Sequence, residues 1–156
     1  MQVGCSGATP RPPRGSGLAR AHDFTNASAG GTFAVSNHFA TDGSAGLEVT
    51  SPADGNWFGR RFAAPIDLSA FTRLRYDVKT GPAGTVGELA LQVGPGSSWC
   101  QGGQWSWINA NSSRTIERAF TEISCPAGVT LDRKQVHAIW VFVKAATATI
   151  DNVRAE

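Results

Sequence analysis

"IDLSAFTRLRYDV" (residues 66–78) and "VTLDRKQVHAIWVFV" (residues 129–143) are two versions of one pattern. The first sets Leu68, Phe71 and Leu74 ahead of a strand, and the second does the same with Leu131, Val136 and Ile139. Each reads as one tight turn followed by a central strand. Successive side chains of a strand point to opposite faces. Leu74, Tyr76 and Val78 therefore share a face, with Arg75, Asp77 and Lys79 opposite. In the second strand Ile139, Val141 and Val143 share a face, with Trp140 and Phe142 opposite. If both aliphatic sets face the core, Trp140 is expected on the outer face of the same sheet as Arg75 and Asp77. A strand that is apolar on both sides equally allows Trp140 to be buried under a loop.

Further strand signals lie outward from these two. "GLEVT" (46–50), "ELALQV" (88–93) and "TATIDNV" (147–153) alternate or run apolar, and turn signals such as "SPADG", "TGPAG" and "GPGSS" separate them. Glycine (18 residues) and proline (8 residues) are frequent, and no long amphipathic helix is visible. The expected fold is all-β, a β-sandwich or jelly roll.

The 156 residues suffice for one domain plus a short extension, with a core that needs no metal or disulfide. Residues 1–17 are rich in Pro, Gly and Arg without periodicity and read as a linker or appended tail. The domain is expected over 18–156. Net charge is +2 and the basic residues are scattered, which argues against nucleic acid or a membrane surface as partner and favours a neutral ligand. No apolar run approaches a membrane span, and the first residues lack the apolar region of a signal peptide. A secreted protein is expected, its export signal absent from this sequence.

"SSWCQGGQWSWIN" (97–109) holds three tryptophans among Gln, Ser, Gly and Asn, without a charge. Tryptophan is costly to leave in water, and a glycine-rich polar segment makes a poor core. Trp105 and Trp107 are two apart and point the same way along a strand, while Gln104 and Asn109 flank them. Gln92, facing away from Leu91 and Val93, joins the polar side. Flat indoles among amides and guanidinium groups suit a pyranose. Its C–H face packs on the ring, and its hydroxyls need forked donors and acceptors. The expected ligand-binding set is Trp57, Trp99, Trp105, Trp107, Trp140, Arg75, Asp77, Gln92, Gln104 and Asn109. Trp57, Trp99 and Trp105 are placed on loops and lead this set. Trp107 is expected to pack, and at least one indole belongs to the core.

Cys100 and Cys125 have 24 residues between them. In an oxidising compartment they pair, closing a loop worth about 3 kcal/mol in the chain-entropy model. The alternative is two buried thiols. Cys5 stands alone in the tail, and no zinc-type spacing accompanies any of the three.

The ordered set "HDFTNASAGGTFAV" (22–35), "GSAGLEVT" (43–50), "IDLSAFTRLRYDVKT" (66–80) and "TATIDNV" resembles carbohydrate-binding modules with the galactose-binding-like jelly roll. It is most similar to those attached to bacterial β-mannanases and endoglucanases. The resemblance covers roughly residues 21–154, and no single motif in it is diagnostic. It implies a non-catalytic module that binds β-linked plant polysaccharide and targets an attached glycoside hydrolase. β-Mannan or glucomannan comes first, β-glucan or cellulose second. It also implies a structural calcium held by Asp151, with Asp23 or Thr25 and the turn near Asp42, through hard oxygen ligands. The group often has Phe-Glu where this chain has Phe24-Thr25, a departure that bears on this site. The competing reading gives Asp151-Asn152 only turn or edge hydrogen bonds.

No GxSxG elbow or phosphate loop occurs, and His22, His38 and His137 show no ligand spacing. A glycosidase needs two carboxylates, and Asp77 has no evident partner. Two alternatives stand beside the binding module: a small jelly-roll hydrolase or lyase using Asp77, and a protein-interaction sandwich.

Overall fold

The alternation becomes two antiparallel sheets. The computed structural model describes residues 16–19, 23–24, 26–27, 30–144 and 146–156. The expectations for Cys5, His22 and Thr25 lie outside the described residues. Among the described residues thirteen strands follow in chain order: β1 Ser16–Ala19, β2 Asn26–Ala27, β3 Thr32–Ser36, β4 Gly46–Thr50, β5 Asn56–Ile66, β6 Arg73–Thr80, β7 Thr85–Val93, β8 Ser98–Gly102, β9 Ser106–Ile108, β10 Ser113–Ala119, β11 Ile123–Ser124, β12 Val136–Val143 and β13 Thr147–Ala155. One sheet has the order β10-β6-β13-β4-β3, with β1 also on β13. The other has the order β11-β8-β7-β12-β5-β2, with β9 also on β7.

The two patterned segments occupy equivalent places. β6 lies between β10 and β13, and β12 lies between β7 and β5. Leu74, Tyr76 and Val78 of β6 are buried in one core with Ile139, Val141 and Val143 of β12. Each aliphatic side chain of this set contributes about 1.5–3 kcal/mol by leaving water. The turns ahead of the strands meet directly: Leu68 N–H donates to the Arg133 carbonyl at 2.7 Å, and the Arg133 guanidinium donates to the Phe71 carbonyl at 2.7 Å. The pattern seen twice in sequence is thus one hydrogen-bonded corner closing the end of the sandwich.

This arrangement corrects one expectation. Arg75 and Asp77 do not share a sheet with Trp140, because β6 and β12 belong to different sheets. Both strands turn their aliphatic sets to the common core, so their other sets face opposite sides of the molecule. Near the N-terminus, Ser16 and Gly17, read as part of the tail, pair with Ala155 and Arg154. Cys100 of β8 and Cys125 form the disulfide, which ties β8 to the segment following β11.

Candidate functional site

The outer face of the β12 sheet carries the aromatic residues. Trp140 is opposite Gly59 of β5 on one side and Ala90 of β7 on the other. These small neighbours let the indole lie against the sheet. A Cβ on Gly59 would stand 2.5 Å from Trp140 Cδ2, closer than any real contact. Arg61, two residues along β5, places its guanidinium carbon 5.3 Å from the centre of the same indole. Trp140 is consequently only 5% exposed. It is on the outer face, as one of the two sequence readings had it, but it serves as a foundation rather than an open platform.

On this foundation the rings form a chain. Trp99 lies 5.8 Å from Trp140, Trp57 lies 4.9 Å from Trp99, and Phe142 lies 5.1 Å from Trp57. Trp105 closes the row, 4.7 Å from Phe142 and 6.4 Å from Trp57. Trp105 is 49% exposed. A pocket of ≈ 350 Å³ opens beside it, lined by Trp105, Phe142, Val86, Asp54 and Lys144. Trp107 is opposite Val86 on β9 and is 60% exposed. It does not pack, contrary to expectation, because β9 is three residues long and only Ile108 turns into the core. Trp57 and Trp99, expected on loops, are on β5 and β8.

Amide side chains orient three of the indoles. Trp140 Nε1–H donates to Gln92 Oε1 (3.2 Å), Trp99 Nε1–H to Gln101 Oε1 (2.9 Å), and Trp107 Nε1–H to Asn109 Oδ1 (3.0 Å). An indole N–H only donates, so each amide must present its oxygen to the ring. The amide NH₂ groups are then directed away from the indoles. Gln104, by contrast, uses its backbone, whose carbonyl accepts from Arg118.

Arg75 and Asp77 lie on the other face of the sandwich in a closed polar network. Arg75 donates to Glu117 (2.6 Å) and Glu156 (2.8 Å). Asp77 accepts from Thr41, Thr115, Asn152 and Arg154. Burial opposes the Asp77 charge, and the Thr41 and Thr115 hydrogen bonds with the Arg154 charge outweigh it, so its pKa is held below the usual carboxylate value. A carboxyl kept ionised in this way is a poor general acid. Its neighbour across the register is Asp151, which the sequence reading assigned to calcium and not to Asp77. Asp151 is buried, and its Oδ2 accepts the backbone N–H groups of Thr41 (2.6 Å) and Asp42 (2.8 Å).

The expected calcium ligands do not gather as a set. Asp42 meets Asp151 through its backbone N–H. Asp23 is paired with Arg60 of β5 at 3.0 Å. Asp151 Oδ1 is buried without a hydrogen-bond partner. Among the described residues no three His, Cys, Asp or Glu side chains stand together as a metal site. Among the described side chains, one carboxylate oxygen without a partner is not a calcium ligand set.

The sequence reading left out Phe142, Arg61, Asp54 and Lys144. Period-two alternation could have supplied the first two. Phe142 is two residues from Trp140, and Arg61 is four from Trp57, each pair on one strand face. Asp54 and Lys144 come from loops, and nothing in their neighbourhoods signals the pocket.

No protein-family model matches the chain, and no curated protein matches it. Solved structures do. The family 11 carbohydrate-binding module from Clostridium thermocellum, in complex with a β-1,3-1,4-mixed-linked tetrasaccharide, superposes with a TM-score of 0.62 at 16% identity, over 90% of this chain and 92% of that one. The chain has the fold of a carbohydrate-binding module. The CBM22-1 xylan-binding domain from Paenibacillus barcinonensis Xyn10C gives 0.61 at 12% identity, over 91% of this chain and 90% of that one. An exo-β-agarase gives 0.60 at 17% identity. There the match covers 85% of this chain but only 22% of the agarase, so this chain spans about a fifth of that protein.

Proposed function

We propose that the protein is a non-catalytic module that binds a β-linked polysaccharide chain along the outer face of the β12 sheet. The observation that carries this is the unbroken row Trp140, Trp99, Trp57, Phe142 and Trp105 on the outside of a sandwich, ending in an open pocket. Trp105 at the end of the row and Trp107 on β9 are exposed, and exposed indoles are costly unless something covers them. The amide groups beside the rings give it the mixed character that a sugar needs.

Trp57, Trp99 and Trp105 supply stacking surface in this reading, while Gln92, Gln101 and Asn109 supply donors. Trp140 and Gly59 set the height of the rings. Mixed-linkage β-glucan and glucomannan are the leading ligands, with xylan next. The fold neighbours named for a mixed-linked tetrasaccharide and for xylan support this polysaccharide class, and aromatic groups shared between strands and a loop suit a soluble chain. The module acts by raising the local concentration of an attached glycoside hydrolase on its substrate, outside the cell, where the Cys100–Cys125 bond persists.

The test is native affinity electrophoresis through gels containing mixed-linkage β-glucan, glucomannan, galactomannan, xylan or no polymer. Retardation by the first two and not by the blank gel is expected. Equal mobility in all five gels would overturn the reading in favour of a protein-interaction sandwich.

A further inference from the structure

Trp105 is on the three-residue loop between β8 and β9, which follows Gly102 at the end of β8 and opens with Gly103. Its position is set from the opposite sheet. Arg118 of β10 is buried and crosses the sandwich edge to reach this loop. Its guanidinium donates to the Gln104 carbonyl and, at 3.1 Å, to Ser106 Oγ, the residues on either side of Trp105. Arg118 Nε donates to Glu88 Oε1 at 2.9 Å.

Glu88 has its own reason to be there. β7 pairs with β8 through Ala90–Val93 and with β9 through Thr85–Gly87, so residues 88 and 89 face the gap where the two partner strands part. The Glu88 carboxylate fills that gap by accepting the Leu89 N–H at 2.8 Å. Burial pushes the Glu88 pKa up, while the Leu89 N–H and Arg118 act to keep the charge. Gly102, at the end of β8, leaves room for the pair: a Cβ there would stand 2.5 Å from Glu88 Oε1 and 2.9 Å from Arg118 Cδ. Stability alone does not call for buried ions here, since an apolar pair of similar volume usually serves as well. A planar fork that binds a carboxylate and two loop groups at once does what an apolar pair does not.

We propose that Glu88 and Arg118 are positioning residues for ligand binding: the buried pair clamps the segment Gln104–Ser106 and holds Trp105 against Phe142 before a polysaccharide arrives. The proposal rests on the binding reading above. Its physical effect is preorganisation, because a loop already ordered loses less freedom on binding.

The test labels the protein with 5-fluorotryptophan, giving one ¹⁹F resonance for each of the five tryptophans, with Trp105 assigned by Trp105→Phe. Arg118→Lys keeps a cation beside Glu88 but loses the fork. The Trp105 resonance is expected to move and broaden while that of Trp140 stays. Affinity for mixed-linkage β-glucan is expected to fall about tenfold, the scale of releasing one or two ordered side chains. In a Trp105→Ala background the same change is expected to cost almost nothing more, which a general weakening of the fold would not produce. Ser106→Ala, which removes a single bond, gives a smaller shift of the same resonance and serves if Arg118→Lys does not fold. Gly103→Ala, whose Cβ meets no atom within 4 Å, leaves the spectrum unchanged. An unmoved Trp105 resonance in both Arg118→Lys and Ser106→Ala, or fully additive losses with Trp105→Ala, would overturn the proposal. If the wild type binds no polymer, the binding reading fails, and the resonance still decides whether the clamp exists.

Discussion

Gly59→Ala probes the foundation of the aromatic face with one methyl group. The added Cβ would overlap Trp140 Cε3 and stand 2.5 Å from Cδ2, where ordinary contact begins at 3.4 Å, so the indole must rise by more than the roughly 0.9 Å that Cδ2 alone requires, or the strand must bend. Trp140 has little freedom to yield, with Ala90 and Ala138 beside it and Arg61 above. Overpacking of this kind costs about 1–3 kcal/mol. For a domain of this size that is a fall in Tm of about 3–12 °C. The displaced indole carries Trp99 with it, and Trp57 next in the row, so ligand stacking suffers as well. A loss of affinity of about tenfold is expected, the equivalent of ~1.4 kcal/mol. Scanning calorimetry reads the first effect, and titration with mixed-linkage β-glucan reads the second. Gly103→Ala is the control, since that Cβ meets open space. Wild-type Tm and wild-type affinity in Gly59→Ala would refute the claim that Trp140 sets the height of the rings.

Three more outcomes follow from the geometry. Asp77→Asn is expected to lower Tm at pH 7 by removing a carboxylate whose folded pKa is depressed. That stabilisation is present above the unfolded value of about 4 and is lost as pH falls through the lower folded value, so the Tm difference should narrow steadily below about pH 4 in a pH series. Reducing the Cys100–Cys125 bond should lower stability by about 2–4 kcal/mol, read by denaturant titration with and without reductant. Chelation of divalent cations should leave polymer affinity unchanged in the same gels, because Asp151 and its partners lie on the face opposite the tryptophans.

The strands themselves were legible because period-two alternation is a local signal. Leu74, Tyr76 and Val78, like Ile139, Val141 and Val143, could be set on one face from a few residues each. Which sheet each strand joins is decided by pairings between residues far apart, such as Val136 with Ile66 or Ala148 with Thr80. For that reason Arg75 and Asp77 were grouped with Trp140 and turned out to face away from it. The fate of Trp140 depended on Gly59, whose importance shows only once the two are paired. The tryptophan-rich stretch contributes Trp99 and Trp105 to the aromatic row, where both meet Trp57. The exposure of Trp107 was not legible, because a short edge strand and a longer packed one look alike over "SWI". Glu88 read as the polar start of an apolar strand, and its burial depends on a gap between β8 and β9 that only the sheet reveals. The disulfide was legible from spacing and number of cysteines, and its place beside Trp99 from the adjacency of Trp99 and Cys100 in the sequence.

The most direct test of the central claim is calorimetric titration of a mixed-linkage β-glucan tetrasaccharide into the wild type, Trp105→Ala and Asp77→Asn. The aromatic face predicts saturable wild-type binding, at least tenfold weaker binding by Trp105→Ala, and unchanged affinity for Asp77→Asn. Binding that survives Trp105→Ala and disappears with Asp77→Asn would place the ligand on the opposite sheet and contradict the account.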